Sequence, residues 1–150
     1  MKNEIIIYTD GACKGNPGIG GWGAVVKFSN NYEKKIYGYN NETTNNRMEL
    51  TAAIMSLSTL DEKSTVILYT DSKYLMDGIN QWILKWKKNS WKTSNNKEVK
   101  NMDLWKKIDE LNSYHSVEWN WVKGHSGNYG NDQADELANF AISNKDNQYD

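Results

Sequence analysis

Cysteine, proline and histidine are scarce in this chain of 150 residues, and each shortage excludes a class of protein. The single cysteine, Cys13, cannot form an internal disulfide, which favours a reducing compartment over a small secreted fold held by such bonds. One cysteine and two histidines are too few for the usual zinc sites. One proline and eleven glycines leave no linker-like stretch, so we expect a single domain over residues 1–150.

Long apolar runs are also missing. The N-terminal segment MKNEIII is far too short for a signal peptide or a membrane span, and no transit-peptide pattern follows it. We therefore expect a cytoplasmic protein that has no membrane partner and acts as a monomer. Cys13 is interpreted as a small side chain in a turn rather than as a reactive thiol.

Positive and negative charges nearly balance, with a net charge of −1, but they are unevenly distributed along the chain. Residues 81–107 contain eight lysines and two acidic residues, whereas the rest of the chain carries ten basic and seventeen acidic residues. A basic lobe on an acidic body indicates that a polyanion is bound at one place and that chemistry takes place at another.

One pattern occurs twice, as IIIYTD at residues 5–10 and as VILYTD at residues 66–71. Apolar runs of this length without polar alternation are typical of strands covered on both faces by helices. Strand patterns lie at residues 5–10, 22–28, 34–40, 65–71 and 116–122, and helical patterns at 43–60, 72–86, 102–111 and 131–143. Their order predicts an α/β fold with a five-stranded mixed sheet, an antiparallel start and helices on both faces.

Residues 18–23, GIGGWG, match the G-x-G-x-x-G pattern of dinucleotide-binding proteins. That pattern needs a strand directly before it and a helix that begins within it, so that phosphate lies on the helix N-terminus. Here the preceding strand pattern ends eight residues earlier and the following WGAVVKF is strand-like, so we reject a nucleotide-cofactor site. The glycines are interpreted as a tight loop that allows close approach of the backbone, either for packing or for a ligand.

Acidic residues end both repeated strands, and Asp10 and Asp71 would lie at the same edge of a parallel pair. Each has an ordinary alternative, because the glycine after the first is a turn signal and the serine after the second is a helix-cap signal. Together they repel unless a proton or a cation lies between them. Glu49 and Asp135 start helices that can reach the same edge, although either alone is typical of a helix-dipole partner. Four such oxygen donors favour Mg²⁺ or Mn²⁺ over zinc.

The two histidines differ in their surroundings. His115 lies between a helix and a strand, in LNSYHSVEW, and is interpreted as an ordinary surface residue. His125 lies in the glycine-rich segment VKGHSGNYGND after the last strand, where a histidine is usually without a special role. Its position beside the acidic edge makes it a candidate proton shuttle near neutral pH.

Five blocks together resemble type 1 ribonuclease H of the short bacterial kind, over about residues 4–142. In the family's order they are YTDGACKGNPGIGGWG, TTNNRMELTAAI, YTDSKYLMDGI, the basic WKKNSWKT and WVKGHSGNYGNDQADELA. The resemblance implies hydrolysis of the RNA strand of an RNA-DNA hybrid, leaving 5′-phosphate and 3′-hydroxyl ends. It also implies that Asp10, Glu49, Asp71 and Asp135 hold two Mg²⁺ ions, and that His125 assists proton movement or product release.

The same resemblance assigns contacts with the hybrid to residues of four kinds. They are Asn16, Asn45 and Asn46 for the minor groove, Thr44 and Asn101 for a phosphate of the DNA strand, Trp82 for deoxyribose, and Lys87, Lys88 and Lys92 for further phosphates. The amides would recognise the 2′-hydroxyl of the RNA, and the lysines belong to a basic handle within about residues 81–101. Core packing against Trp86 is the alternative for Trp82.

Two residues depart from the family's pattern. Glu42 stands where many members have an arginine facing the DNA phosphate, which should weaken binding. Lys73 stands where a neutral amide is common, and it either compensates or is a solvated charge. Two other functions remain open: a related nuclease or recombinase acting on DNA, and a non-catalytic hybrid-binding module, which does not explain the acidic residues. A flexible tail is expected at about residues 143–150.

Overall fold

In the computed structural model, which describes residues 4–124 and 126–149, the repeated apolar segments form a central strand and its parallel neighbour. The five strands are β1 Glu4–Lys14, β2 Gly18–Lys27, β3 Glu33–Thr43, β4 Thr65–Thr70 and β5 Ser116–Trp121. Their order in the sheet is β3-β2-β1-β4-β5. The first three pair antiparallel, and β1, β4 and β5 pair parallel, so the predicted mixed sheet is confirmed.

The helices follow the predicted pattern closely. They are α1 Asn45–Ser58, α2 Lys73–Asp77, α3 Ile83–Lys88, α4 Met102–Tyr114 and α5 Tyr129–Asn144. A π-helical turn, Gly78–Trp82, joins α2 to α3, so these two continue the single helix expected at residues 72–86. Among the described residues, none of these helices combines the length and the apolar character needed to cross a bilayer. Thr44 caps α1 and Ser72 caps α2 with their side chains, which places both helix starts directly after strand ends.

An apolar core fills the space between the sheet and helices α1 to α4. Leu68 of β4, Leu50 of α1 and Trp105 of α4 are completely buried in it. Each such side chain stabilises the fold by roughly 1.5–3 kcal/mol relative to an exposed position. α5 packs against β1, β2 and β3. The packed helices therefore hold the ends of the strands in fixed positions.

The glycines of GIGGWG lie inside β2, which corrects the prediction of a tight loop. β2 is continuous over Gly18–Lys27, and the tight turn precedes it. A Cβ on Gly21 would collide with the backbone oxygen of Ala138, and one on Gly23 with that of Ala134, both in α5. The expected close backbone approach is confirmed, and its cause is helix packing rather than a ligand.

Two local features differ from the sequence prediction. β1 continues beyond Asp10 to Lys14, because the residues after the aspartate still pair with β2. The interpretation of His115 as a surface residue is wrong, since it is only 5% exposed. Its Nδ1 accepts a hydrogen bond from the backbone N–H of Ser64 at 3.1 Å, and burial lowers its pKa.

The C-terminal segment is attached to the sheet, in place of the flexible tail expected at about residues 143–150. Gln148 and Tyr37 of β3 exchange two backbone hydrogen bonds of 2.8 Å. The ring of Tyr149 lies 5.8 Å from that of Trp22. β3 is an edge strand with free backbone groups, and these groups explain the pairing.

Candidate metal centre and nucleic-acid interface

The parallel pairing of β1 with β4 brings two aspartates together. Thr9 of β1 is in register with Thr70 of β4. The next residues, Asp10 within β1 and Asp71 directly after β4, therefore lie side by side, as predicted. Asp10 is only 4% exposed and Asp71 is half-buried, so at least one carboxylate is shielded from water.

Glu49 reaches this edge from α1, as the fifth residue of a helix that begins at Asn45, just beyond the first turn predicted for it. A Cβ on Gly11 would lie 2.5 Å from the backbone nitrogen of Glu49, so only glycine lets α1 pack this closely on β1. Carboxylate oxygens of Asp10, Glu49 and Asp71 all lie within 4.8 Å of one another. From the sequence, Gly11 was interpreted only as part of a turn. Its position directly after an aspartate at the end of a strand pattern could have indicated that a helix packs closely there.

Burial and neighbouring carboxylates raise the pKa values of two of these groups, Asp10 and Glu49. Burial first, then the charge of Asp71 and contact with Asp135, raise the pKa of Asp10 from 3.8 to about 9. Burial, followed by the charges of Asp10 and Asp71, raises the pKa of Glu49 well above its usual value. Without a cation the cluster therefore retains protons at neutral pH, whereas a bound cation would favour its ionised form.

The donor set fits a divalent cation. Within the described part of the chain, Oε1 of Glu49 is buried and has no hydrogen-bond partner, which is costly for a carboxylate oxygen. The ion pairs formed between described residues all lie elsewhere. Hard oxygen donors without a lysine or arginine partner suit a metal of the Mg²⁺ type. The cluster is therefore compatible with divalent metal binding.

Asp135 lies beside this group of three. Contact with Asp135, together with its charge, contributes to the raised pKa of Asp10. Oδ1 of Asp135 also accepts a hydrogen bond of 3.3 Å from the side-chain amide of Asn139, one turn further along α5. The structure thus brings Asp135 next to the three clustered carboxylates. His125, the candidate proton shuttle, lies outside the described residues.

Three residues that surround Asp71 extend the site. A Cβ on Gly124 would lie 2.7 Å from Oδ2 of Asp71, and Nε1 of Trp121 donates a 3.0 Å hydrogen bond to its backbone oxygen. The Trp121 ring is 44% exposed, and Nζ of Lys73 lies 5.2 Å from its centre. The ammonium group of Lys73 therefore lies over the ring of a residue that is hydrogen-bonded to the backbone of Asp71. Sequence reasoning missed Trp121, although an aromatic residue at the end of a strand next to an acidic edge was a usable signal.

The short amides assigned to the minor groove lie close together. Oδ1 of Asn16, in the turn between β1 and β2, accepts a 3.0 Å hydrogen bond from the backbone N–H of Asn45 at the start of α1. Both residues are exposed, and Asn46, the next residue, is half-buried. Two distant segments of the chain thus present amides on one surface.

The two residues assigned to a phosphate pocket are both bonded to Arg47, which the sequence analysis overlooked. The backbone N–H of Arg47 donates to Oγ1 of Thr44 at 3.2 Å, and its Nη1 donates to Oδ1 of Asn101 at 3.1 Å. The guanidinium group also forms two hydrogen bonds, of 3.1 and 2.8 Å, with the carboxylate of Asp103. The structure therefore brings Thr44 and Asn101 together through one arginine.

Trp82 takes part in an aromatic cluster at the base of the handle. Its ring centre lies 5.9 Å from that of Trp86, 5.5 Å from that of Tyr74 and 6.4 Å from that of Trp105. It nevertheless remains half-buried. The packing alternative is thus present in the structure, and part of the ring stays available to a ligand.

The handle consists of α3 and the segment that follows it, and its lysines point to solvent. Lys87, Lys88 and Lys92 are all exposed. Nζ of Lys87 lies 3.3 Å from Oδ2 of Asp109 in α4, so this charge is partly compensated. Lys88 and Lys92 form no ion pair with another described residue. Glu42 is also exposed, at the end of β3.

Comparison with known proteins agrees with this geometry. A sequence model of the family described as RNase H matches residues 2–143. The chain is 61% identical over 142 residues to proteins named Ribonuclease H from Francisella tularensis subsp. novicida and Francisella philomiragia, and each match covers 95% of this chain and 93% of the relative.

Solved structures give the same result for the fold. LC9-RNase H1, described as a type 1 RNase H with the type 2 active-site motif, is 28% identical and superposes with a TM-score of 0.89 over 99% of this chain and 76% of that one. LC11-RNase H1, solved in complex with an RNA/DNA hybrid, is 26% identical, with a TM-score of 0.70 over 94% of this chain and 98% of that one.

Proposed function

The chain belongs to the ribonuclease H family, and on that premise we propose that it is an endoribonuclease that hydrolyses the RNA strand of RNA-DNA hybrids. The products are a 5′-phosphate and a 3′-hydroxyl. The observation that carries the proposal is the group of Asp10, Glu49 and Asp71 oxygens within 4.8 Å, which suits metal-dependent phosphodiester hydrolysis. A likeness to LC11-RNase H1, solved with an RNA/DNA hybrid, supports the substrate class.

We assign cation binding to Asp10, Glu49 and Asp71, with Asp135 completing the site. Two Mg²⁺ ions held by these residues, or Mn²⁺ in their place, would supply positive charge for the activation of water and for the charge that develops on the leaving 3′ oxygen. The protein orients the ligands: the backbone N–H of Gly11 donates to Oδ1 of Asp10 at 2.9 Å, and the contact of α1 with β1 fixes Glu49. No covalent enzyme intermediate is required. His125 keeps its assigned role in proton movement or product release.

Recognition of the hybrid is assigned to surfaces next to this centre. Asn16, Asn45 and Asn46 recognise the 2′-hydroxyl groups of the RNA, since each amide can donate and accept. Thr44 and Asn101 bind a phosphate of the DNA strand. The remaining contacts are Trp82 with deoxyribose and Lys87, Lys88 and Lys92 with phosphates. Affinity should therefore fall steeply as salt is added.

A cleavage assay on labelled hybrid, duplex DNA and duplex RNA in Mg²⁺ tests the proposal. We expect cleavage of the hybrid alone, and of its RNA strand only. Comparable cutting of duplex DNA would show that the protein is instead a DNA nuclease or recombinase of related fold. Binding of the hybrid without any cleavage would show a binding module.

Asp10→Asn tests the assignment of the metal ligands, because it removes one carboxylate from the cluster and preserves the shape of the side chain. It should abolish cleavage while hybrid binding is retained or improved, since less negative charge faces the polyanion. Asp61→Asn, at an exposed position before β4 and away from the cluster, serves as the control. Turnover of Asp10→Asn near the wild-type rate would show that the metal assignment is wrong.

We also propose that the protein acts as a monomer in the cytoplasm. The lone cysteine supports a reducing compartment. Sedimentation of the purified protein at working concentrations measures its oligomeric state, and a dimer would contradict the proposal of a monomer.

A further inference from the structure

Asn101 occupies the position before the first turn of α4 but does not cap that helix. Its backbone is left-handed, with φ 60° and ψ 29°, and its side chain makes no hydrogen bond to the helix start. Asparagine is among the best capping residues, and a lost cap costs about 1 kcal/mol. Asparagine adopts the left-handed region more readily than other residues that have a Cβ, so the backbone itself is not strained. The unused cap indicates that the Asn101 side chain is held for another purpose.

The orientation of the Asn101 amide is fixed from both ends. Its Oδ1 accepts from Nη1 of Arg47 at 3.1 Å, and its Nδ2 donates to the hydroxyl oxygen of Tyr74 at 3.0 Å. Because a guanidinium group only donates, the oxygen of the amide must face Arg47 and the nitrogen must face Tyr74. One of the two N–H groups on Nδ2 is used by Tyr74, which leaves the second for a ligand.

Tyr74 connects this amide to the core. Nε1 of Trp105 donates a second hydrogen bond, of 3.2 Å, to the same hydroxyl oxygen. Trp105 is completely buried, and a Cβ on Gly78 would collide with its ring. The Tyr74 ring also packs edge-on against Trp82 at 5.5 Å. Two of the three residues assigned to the DNA strand, Asn101 and Trp82, are thus supported by Tyr74.

In this pocket, the direction of the hydrogen bonds matters more for phosphate binding than the charge of the donors does. The guanidinium group of Arg47 forms an ion pair of 2.8 Å with Asp103, and this partner raises the pKa of Arg47 and lowers that of Asp103. The nearest cation is therefore already compensated. A phosphate bound beside Thr44 and Asn101 is recognised mainly by neutral donors, and hydrogen bonds from such donors weaken steeply when they are misaligned.

We propose that Tyr74 is the positioning residue of the phosphate pocket: its hydroxyl group orients Asn101 so that the second Nδ2–H points to a phosphate of the bound hybrid. The inference rests on the proposed function, because it takes the hybrid as the ligand. Tyr74 acts through Asn101 and lies outside the carboxylate cluster. Its hydroxyl therefore governs affinity for the hybrid and leaves the rate of the bound complex unchanged.

Tyr74→Phe tests this, because it removes the hydroxyl group and keeps the ring against Trp82. We expect the Kd and the KM for the hybrid to rise about fivefold, as for one misaligned hydrogen bond to a charged group. The kcat at saturating hybrid should change by less than about twofold. Tyr114→Phe, at an exposed position at the far end of α4, is the matched control and should change neither constant.

A double-mutant cycle separates positioning from a general structural role. If Tyr74 acts through Asn101, the Kd of Tyr74→Phe/Asn101→Ala should equal that of Asn101→Ala alone. A Kd in the double variant that is the product of the two single effects would overturn the proposal, as would an unchanged Kd in Tyr74→Phe. Cleavage of the hybrid by the wild type in the same experiment leaves the proposed function standing in either case.

A measurement on the wild-type protein keeps the inference testable even where Tyr74→Phe folds poorly. Hybrid is added in EDTA to prevent cleavage, and the side-chain amide protons of Asn101 are followed by NMR. One proton, bonded to Tyr74, should keep its chemical shift, and the other should move downfield as it bonds to phosphate. Movement of both protons, or of neither, would overturn the assignment.

Discussion

Replacing Asp10 by asparagine should make the metal-free protein more stable while it abolishes cleavage. Asp10 is 4% exposed and its carboxylate lies next to those of Glu49, Asp71 and Asp135. Asparagine has nearly the same shape and keeps an Oδ1 that can accept the 2.9 Å hydrogen bond from Gly11. The substitution therefore replaces a buried carboxyl group that must hold a proton in the folded state by a neutral amide, without creating a cavity.

The size and sign of the effect follow from the pKa of Asp10, which burial and its neighbours raise from 3.8 to about 9. Between these values the folded protein keeps a proton that the unfolded chain releases. The stability contributed by the group is thus fully present below 3.8 and is lost as the pH rises towards about 9, at up to about 1.4 kcal/mol per pH unit. At pH 7 the full loss would be about 4 kcal/mol, and sharing of protons among the coupled carboxyl groups reduces it. We expect Asp10→Asn to recover about 1–3 kcal/mol.

Urea unfolding followed by circular dichroism, in EDTA at about pH 4 and about pH 8, measures this change. The free energy of unfolding of Asp10→Asn should exceed that of the wild type at the higher pH and match it at the lower one. Asp61→Asn removes an exposed charge and should show no gain at either pH. An Asp10→Asn variant no more stable than the wild type at pH 8, or equally stabilised at both pH values, would refute the reasoning.

Three further predictions follow from the same geometry. At pH 8, Mg²⁺ should raise the Tm of the wild type in proportion to the logarithm of the Mg²⁺ concentration above the Kd, and should raise the Tm of Asp10→Asn far less. Equal shifts of Tm in the two proteins would contradict a metal site in the cluster. Lys73→Gln should weaken hybrid binding and reduce the salt slope by about 0.9, as for one phosphate contact, whereas Lys63→Gln, before β4, should not; equal effects would make Lys73 a solvated charge. Gly11→Ala should push α1 away from β1. Urea unfolding should then show a free energy of unfolding lower by about 1–3 kcal/mol, and calorimetry should show weaker Mg²⁺ binding. Wild-type values in both measurements would show that the contact is not tight.

The sheet and its acidic edge could be predicted because the relevant signals are local. Two apolar runs of strand length, each closed by an aspartate, lie on either side of a helical pattern, and a right-handed crossover then makes the two strands parallel. The parallel pairing of β1 with β4 in the structure, with Thr9 in register with Thr70, agrees with that argument. Glu49 could be placed for the same reason, since the N-terminal end of the crossover helix must face the ends of both strands, although the residue lies just beyond the first turn.

What could not be predicted depends on contacts between distant parts of the chain. Nothing around His115 indicates that its ring accepts a hydrogen bond from Ser64 on another segment. The bond from Arg47 to Asn101 likewise joins residues separated by 54 positions. The error over GIGGWG had a different cause, because glycines that suggest a loop are equally needed where a helix packs directly on a strand.

The carboxylate cluster and the phosphate pocket differ in whether their charged groups have partners of opposite charge. In the cluster, Glu49 keeps a buried oxygen without a partner in the described part of the chain, whereas in the pocket the charge of Arg47 is compensated by Asp103. A polyanion that approaches the cluster is repelled by the same carboxylates that destabilise the fold. A divalent cation held by the carboxylates would relieve both effects, because it would neutralise their charge and attract the phosphate. Metal and hybrid should therefore each strengthen the binding of the other, by equal factors.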